Sequence, residues 1–349
     1  MPFTGDNMIN SLTRLFLALV LLAPMVGANG WDRTRATVFG VLPEGAVNPE
    51  GITADEHGNI YVTTFGVTSS GPGHLVVFER HGDLIRDVRV ANSSNLLLGL
   101  AFHPMTRELL VLDFGGGKVW RVNPETGDST LFFAPNAMGT GLNALTFDDA
   151  GHVYVSDSFL GIIWRSDAAG GNVIPWVNDP LLRTTGYPPF GANGLNFNNA
   201  KTKLFVANTG DDTVVQIPFD RVTHSPGMPS VFVNGINGAD GLIVDRDDNL
   251  WVAANQADEI VVVDPMGMAI AKLGDFNGID RQGRPNGLLF PASLVFSGEF
   301  LYVTNLSLDL RLFMLPPSVD SEWCAQVRRF TVSKIRAQLP RGDDKDQEE

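Results

Sequence analysis

Four oxygen-bearing side chains, Glu50, Asn143, Asn193 and Asp240, occupy the same place in a repeated unit. Each stands two residues before one apolar side chain (Ile52, Leu145, Leu195, Leu242) and four before another (Ala54, Phe147, Phe197, Val244). A fold that gathers them around one space brings two carboxylates and two amide oxygens together. Such a set suits a hard divalent cation such as Ca²⁺, which takes about six to eight oxygen ligands, with water completing the count. No His or Cys shares the position, which disfavours Zn²⁺. An Asn or Asp ahead of a strand also caps local turns, so one alone carries little weight. Four at one register, a Glu among them, point to a metal site.

The elements that must position these residues follow from the repeat itself. Aligned on Glu50, Leu98, Asn143, Asn193, Asp240 and Ala292, the chain shows successive spacings of 48, 45, 50, 47 and 52. After each anchor comes a short alternating strand, a polar turn such as "DEHGN" or "DRDDN", and a second apolar strand. The centre of that second strand is Val62, Val111, Val155, Val206, Val252 or Val303. A third strand is legible in "LVVFER", "KVWRVN", "GIIWRS", "TVVQIPF", "EIVVVD" and "QVRRFTV". A fourth is legible in "LIRDVRV", "STLFFA", "VIPWV", "PSVFVNG" and "IAKLGDF". Four antiparallel strands at this period make a propeller blade, so the sequence predicts an all-β, six-bladed β-propeller over residues 31–340. The sixth unit lacks a fourth strand, and "ATVFGVL" (Ala36 to Leu42) precedes the first unit with no partner. This N-terminal strand is expected to complete the last blade and close the ring, which protects the sheet edges. An insert, Leu306 to Ala325, interrupts blade six and is expected to roof the anchors with apolar side chains.

Composition agrees. The chain of 349 residues holds 37 Gly and 21 Pro, and only 18% of its residues are charged, which suits short strands and many turns. The net charge of −14, with Lys and Arg scattered, excludes a basic nucleic-acid-binding face. Leu15 to Val26 is an apolar run after Arg14, followed by the small residues Gly27, Ala28 and Gly30. That is the layout of a signal peptide (1–30) cleaved near Ala28 or Gly30, and it predicts a secreted or periplasmic protein with no stable membrane insertion. A single cysteine, Cys324, forbids an internal disulfide and is expected to be a buried thiol. The polar tail 341–349 is expected to be disordered. A monomer is expected.

Beside the anchors the residues resemble a family. "ANGLNFNNAKTKLFVANT" around Asn193 and "ADGLIVDRDDNLWVAAN" around Asp240 resemble the metal-binding segments of the senescence-marker-protein, gluconolactonase and luciferin-regenerating-enzyme propellers. "PEGITAD" around Glu50 and "GLNALTFDDAGHVYVSD" around Asn143 fit the remaining two segments more loosely. The resemblance implies a Ca²⁺- or other divalent-dependent hydrolase of lactones or related esters. It further implies that Glu50, Asn143, Asn193 and Asp240 are the ligands, and that Asp240 doubles as base or nucleophile. Sugar-lactone members carry an Arg two residues before the third-blade Asn and an Asp right after it; this chain has Gly141 and Ala144. The charged grip on a sugar acid is missing, so gluconolactone is not the expected substrate.

The mechanism implied is a cation polarising the substrate carbonyl while Asp240 activates water or attacks. A cation-bound carboxylate has a lowered pKa and is a poorer base, which makes Asp157 and Asp113 the alternatives. His57, His103 and His152 fall at turns on the face opposite the anchors, and His74 is expected in a solvated loop. No nucleophile elbow is present. Two other readings stand beside the hydrolase. One is a non-catalytic propeller of the NHL type that binds protein or glycan, with a structural metal; the other is a strictosidine-synthase-like fold with non-hydrolytic chemistry.

Overall fold

The computed structural model describes residues 33–339, so the expected signal peptide and the expected disordered tail lie outside the described residues. Six four-stranded antiparallel sheets form the six blades. The first strands are Pro49–Ala54, Leu97–Phe102, Leu142–Phe147, Ala192–Phe197, Ala239–Val244 and Pro291–Ser297. Four of the second strands, Ile60–Thr64, Leu109–Asp113, Val153–Asp157 and Leu250–Ala254, are buried along their whole length, and Lys203–Asn208 and Phe300–Asn305 are buried from their second residue on. A neighbouring blade covers each of their faces, which is why they read as continuous apolar runs instead of alternating ones. The outermost strands are the most exposed, and Leu84–Arg89 among them carries charge.

Closure follows the expected route. Thr37–Val41 pairs antiparallel with Thr331–Arg336, completing the sheet begun by Pro291–Ser297 and Phe300–Asn305. Phe39 enters the core between blades six and one, against Phe78 and edge-on to Tyr302 at 4.6 Å.

Every inner strand breaks its ladder at the same point. The register shifts between Pro49 and Ile52, Leu97 and Leu100, Leu142 and Leu145, Ala192 and Leu195, Ala239 and Leu242, and Pro291 and Leu294. Each anchor lies inside this bulge, a device that re-aims a side chain out of the ladder. The following residue must be small because the next blade's backbone presses on it. A Cβ on Gly194 would stand 2.5 Å from the Asp240 carbonyl oxygen, and one on Gly241 2.6 Å from that of Ala292.

Two local expectations need correction, and two features were not foreseen. The third strand of blade six is Thr331–Arg336 and not "QVRRFTV", because the insert runs on to residue 330. The insert contains a short 3₁₀ turn, Leu310–Phe313, and one helical turn, Ser321–Cys324. An extra hairpin, Phe276–Ile279 with Pro285–Gly287, precedes blade six. His74 is buried rather than solvated: it opens the third strand of blade one, with Nδ1 2.7 Å from Asp87.

Candidate functional site

The bulges place Glu50, Asn143, Asn193 and Asp240 on the wall of one cavity at the channel mouth. All four are 3–5% exposed. Leu98 lines the same space and Ala292 is fully buried, so the two apolar anchors complete the ring without adding ligands.

A second ring stands above them, built from the residue after each second strand: Phe65, Phe114, Ser158, Thr209, Asn255 and Leu306. Its polar half orients the anchors. Asn143 Nδ2 donates to Ser158 Oγ at 3.0 Å, and that hydroxyl donates to the Ala192 carbonyl of blade four at 2.7 Å. Asn193 repeats the relay through Thr209 Oγ1 at 2.9 Å to the Ala239 carbonyl of blade five at 2.8 Å. With one N–H of each amide held by a hydroxyl, its oxygen is left free for the cavity. In blade five, Asn255 Nδ2 donates to Asp240 Oδ2 at 2.8 Å, and Gln256 Nε2 fixes Asn255 through its Oδ1 at 2.9 Å. Sequence reasoning missed these three supports, although the signal was present as one repeat position.

The electrostatics are unbalanced. Glu50 Oε2 and Asp240 Oδ1 are buried and have no hydrogen-bond partner among the described residues. Among the described residues no Lys or Arg lines the cavity. Burial pushes Asp240 up to about 7, against the hydrogen bonds from Asn255, Asn193 and the Gly241 N–H. Burial, and then the charge of Asp240, raises Glu50 well above the carboxylate range. Two desolvated carboxylates with orphaned oxygens, beside two amides set to offer oxygen, fit a hard divalent cation.

The other half of the mouth is apolar. Phe313 of the insert stacks on Phe65 at 5.5 Å, and Phe65 meets Phe114 edge-on at 5.5 Å. Phe114 meets Phe159 at 5.1 Å, and Phe159 stacks on Phe190 at 5.9 Å. The insert adds Leu306, Leu308 and Leu310 to the cavity wall. Asn48 Nδ2 holds the Leu306 carbonyl at 2.9 Å, and Tyr187 OH donates to the Pro316 carbonyl. Trp323 takes no part in the wall; it packs on Phe276 at 5.4 Å. The aromatic collar also occupies the space an arginine at position 141 would need. A Cβ on Gly141 would lie 2.8 Å from the Phe159 ring and 3.0 Å from that of Phe114.

Asp113 and Asp157 do not enter the cavity wall. Asp113 accepts from the Ser94 and Gly116 N–H groups, Ser94 Oγ and Trp120 Nε1. Asp157 accepts from the Gly141, Phe159 and Leu160 N–H groups and Trp164 Nε1. Both are turn-fixing carboxylates with their lone pairs engaged.

The fold and site define a class: a six-bladed propeller with a buried, oxygen-rich, cation-compatible mouth. Within it, residues 101–274 belong to the SMP-30/gluconolactonase/LRE-like family, whose sequence model matches them. No protein of curated function matches the chain in sequence. Among solved structures, a luciferin-regenerating enzyme is similar with a TM-score of 0.61 at 17% identity, over 84% of this chain and 92% of that one. Regucalcin, a calcium-binding protein from Agrobacterium tumefaciens, gives 0.59 at 17% identity, over 87% and 97%. A gluconolactonase from Xanthomonas campestris gives 0.58 at 14% identity, over 86% and 89%. At these identities the likeness concerns the fold.

Proposed function

We propose that the protein is a divalent-metal-dependent hydrolase of lactones or related esters, with Ca²⁺ the ion that best suits its ligands. The observation that carries this reading is the pair of orphaned carboxylate oxygens, on Glu50 and Asp240, beside two amides each held through an N–H by a neighbouring hydroxyl. Glu50, Asn143, Asn193 and Asp240 are the ligands in this proposal. Family membership and the gluconolactonase and regucalcin likenesses support it. A cation bound there supplies Lewis-acid polarisation of a substrate carbonyl.

The chain's own residues do the rest. Asn255 engages Asp240 Oδ2 and leaves Oδ1 as the oxygen available to activate water or attack the carbonyl. The phenylalanine collar and the leucines of the insert exclude bulk water and take up the non-reacting part of the substrate. With no cation on the wall and Gly141 pressed by two rings, the pocket suits an apolar acyl chain or aromatic ester better than a sugar acid.

The test is a Ca²⁺ titration of melting temperature alongside a panel of sugar lactones, alkyl lactones and aryl esters. The expected result is stabilisation by Ca²⁺ and faster turnover of the apolar members. A protein stabilised by Ca²⁺ that turns over nothing in the panel is a non-catalytic binding propeller with a structural ion.

A further inference from the structure

The turn between the first two strands is built in the same way in blades one and five. Asp55 Oδ1 accepts from the His57 and Asn59 N–H groups, and its Oδ2 from Asn59 Nδ2 and Tyr61 OH. Asp245 does the same with the Asp247 and Asn249 N–H groups, Asn249 Nδ2 and Trp251 Nε1. In both turns the fourth residue on is an asparagine, whose amide N–H group donates and has no lone pair for a cation.

Blade three departs from this pattern twice. Asp148 Oδ1 keeps the Ala150 and His152 N–H groups, and its Oδ2 accepts from Tyr154 OH at 3.1 Å. The asparagine is replaced by His152, whose Nδ1 lies 2.8 Å from Oδ2. A second imidazole arrives from another blade: His224 Nδ1, in the loop between the third and fourth strands of blade four, lies 3.0 Å from the same oxygen. The His224 loop is pinned there, its carbonyl accepting from Trp176 Nε1 at 2.8 Å and Arg165 Nη1 at 3.1 Å. The two imidazoles pack edge-on at 4.6 Å, and the three ligand atoms lie within 4.8 Å of one another. His224 Nδ1 is buried and makes no well-formed hydrogen bond among the described residues. The charged groups around it are Lys201, which donates to the Phe147 carbonyl at 3.2 Å, Arg165 on the His224 carbonyl, Asp220 in the His224 loop, and Asp149, which is paired with Arg221.

We propose that Asp148, His152 and His224 form a second cation site, of the two-imidazole, one-carboxylate kind, that takes a borderline transition ion such as Zn²⁺. Asp148 follows Asn143 by five residues, just past the end of the strand Leu142–Phe147 and about 17 Å on by strand rise, and the donors of this site are chemically unlike the all-oxygen set at the mouth. Tyr154 and the turn's N–H groups hold the carboxylate, as supporting partners hold metal ligands elsewhere. An imidazole that binds through the Nδ1 lone pair carries its proton on Nε2, so the site takes both histidines in that tautomer. The partial exposure of both histidines leaves a position for water, and the ion joins blade three to blade four.

The test is calorimetric titration of the whole, chelator-treated protein with Zn²⁺ in saturating Ca²⁺. One equivalent of Zn²⁺ is expected to bind. His224→Ala, and His152→Asn (which restores the turn of blades one and five), should each weaken it by at least roughly 10–100-fold. The Ca²⁺-dependent melting shift should be unchanged in both variants. Absence of Zn²⁺ binding in saturating Ca²⁺, or binding by the two variants as tight as that of the parent, overturns the site and leaves a hydrogen-bonded turn. Neither result touches the proposal for the mouth.

Discussion

At the scale of residues, the chemistry proposed for Asp240 separates it from its neighbours. Asp240→Asn keeps the size and one oxygen but removes the charge and the reactive carboxylate. Its Ca²⁺ affinity should fall moderately, while turnover at saturating Ca²⁺ falls by about 10² or more, the scale of a lost catalytic group. Asn193→Ala deletes a neutral ligand, so added Ca²⁺ should restore much of its activity. Steady-state rates across a Ca²⁺ series check both, and equal rescue of the two variants would put the base elsewhere. The anchors were legible because one repeat position carried oxygen four times in six. Ser158, Thr209 and Asn255 were not, because their position alternates with Phe65, Phe114 and Leu306 and mixes residue types. His224 was illegible for another reason: a loop residue has no register, and only the fold carries it to Asp148.

At the scale of elements, the insert and its neighbours meet blade five through buried acids. Asp258 accepts from the Phe290 N–H at 2.7 Å. Burial, and then the charge of Asp320 in the insert, raises its carboxyl to about 8. Burial raises Asp320 as well, and its Oδ2 has no partner among the described residues. A carboxyl raised in this way keeps a proton in the folded chain that the unfolded chain releases near 3.8. Its contribution to stability is therefore intact below about pH 4 and declines as the pH rises towards about 8. Asp258→Asn keeps the acceptor and cannot ionise. It should melt like the parent at pH 4 and above it at pH 8; an equal shift at both pH values would show that the proton is not involved. Element boundaries were read well where period-2 alternation was strong. They failed where Gly and Pro break it, in the 276–287 hairpin, and where the insert's charged "QVRRF" mimics the start of a strand.

At the scale of the whole molecule, the six-fold register made the architecture readable, including the strand that closes it. Removing residues through Leu42 takes away Phe39 and leaves the edge of Thr331–Arg336 open. The truncated chain should lose its single cooperative unfolding transition in urea. An unchanged midpoint and slope would mean that the ring does not depend on this strand. Closure also has a consequence in time. Thr37 lies 297 residues before its partner Lys334. At the ordinary pace of about 5–20 residues per second, the ribosome delivers that partner roughly 15–60 seconds after the first strand emerges. Until then the first strand is an orphan on a growing chain, with free N–H and C=O groups that any passing edge can claim. The last blade therefore closes late, and whatever shields Thr37–Val41 during that interval governs the yield of native protein.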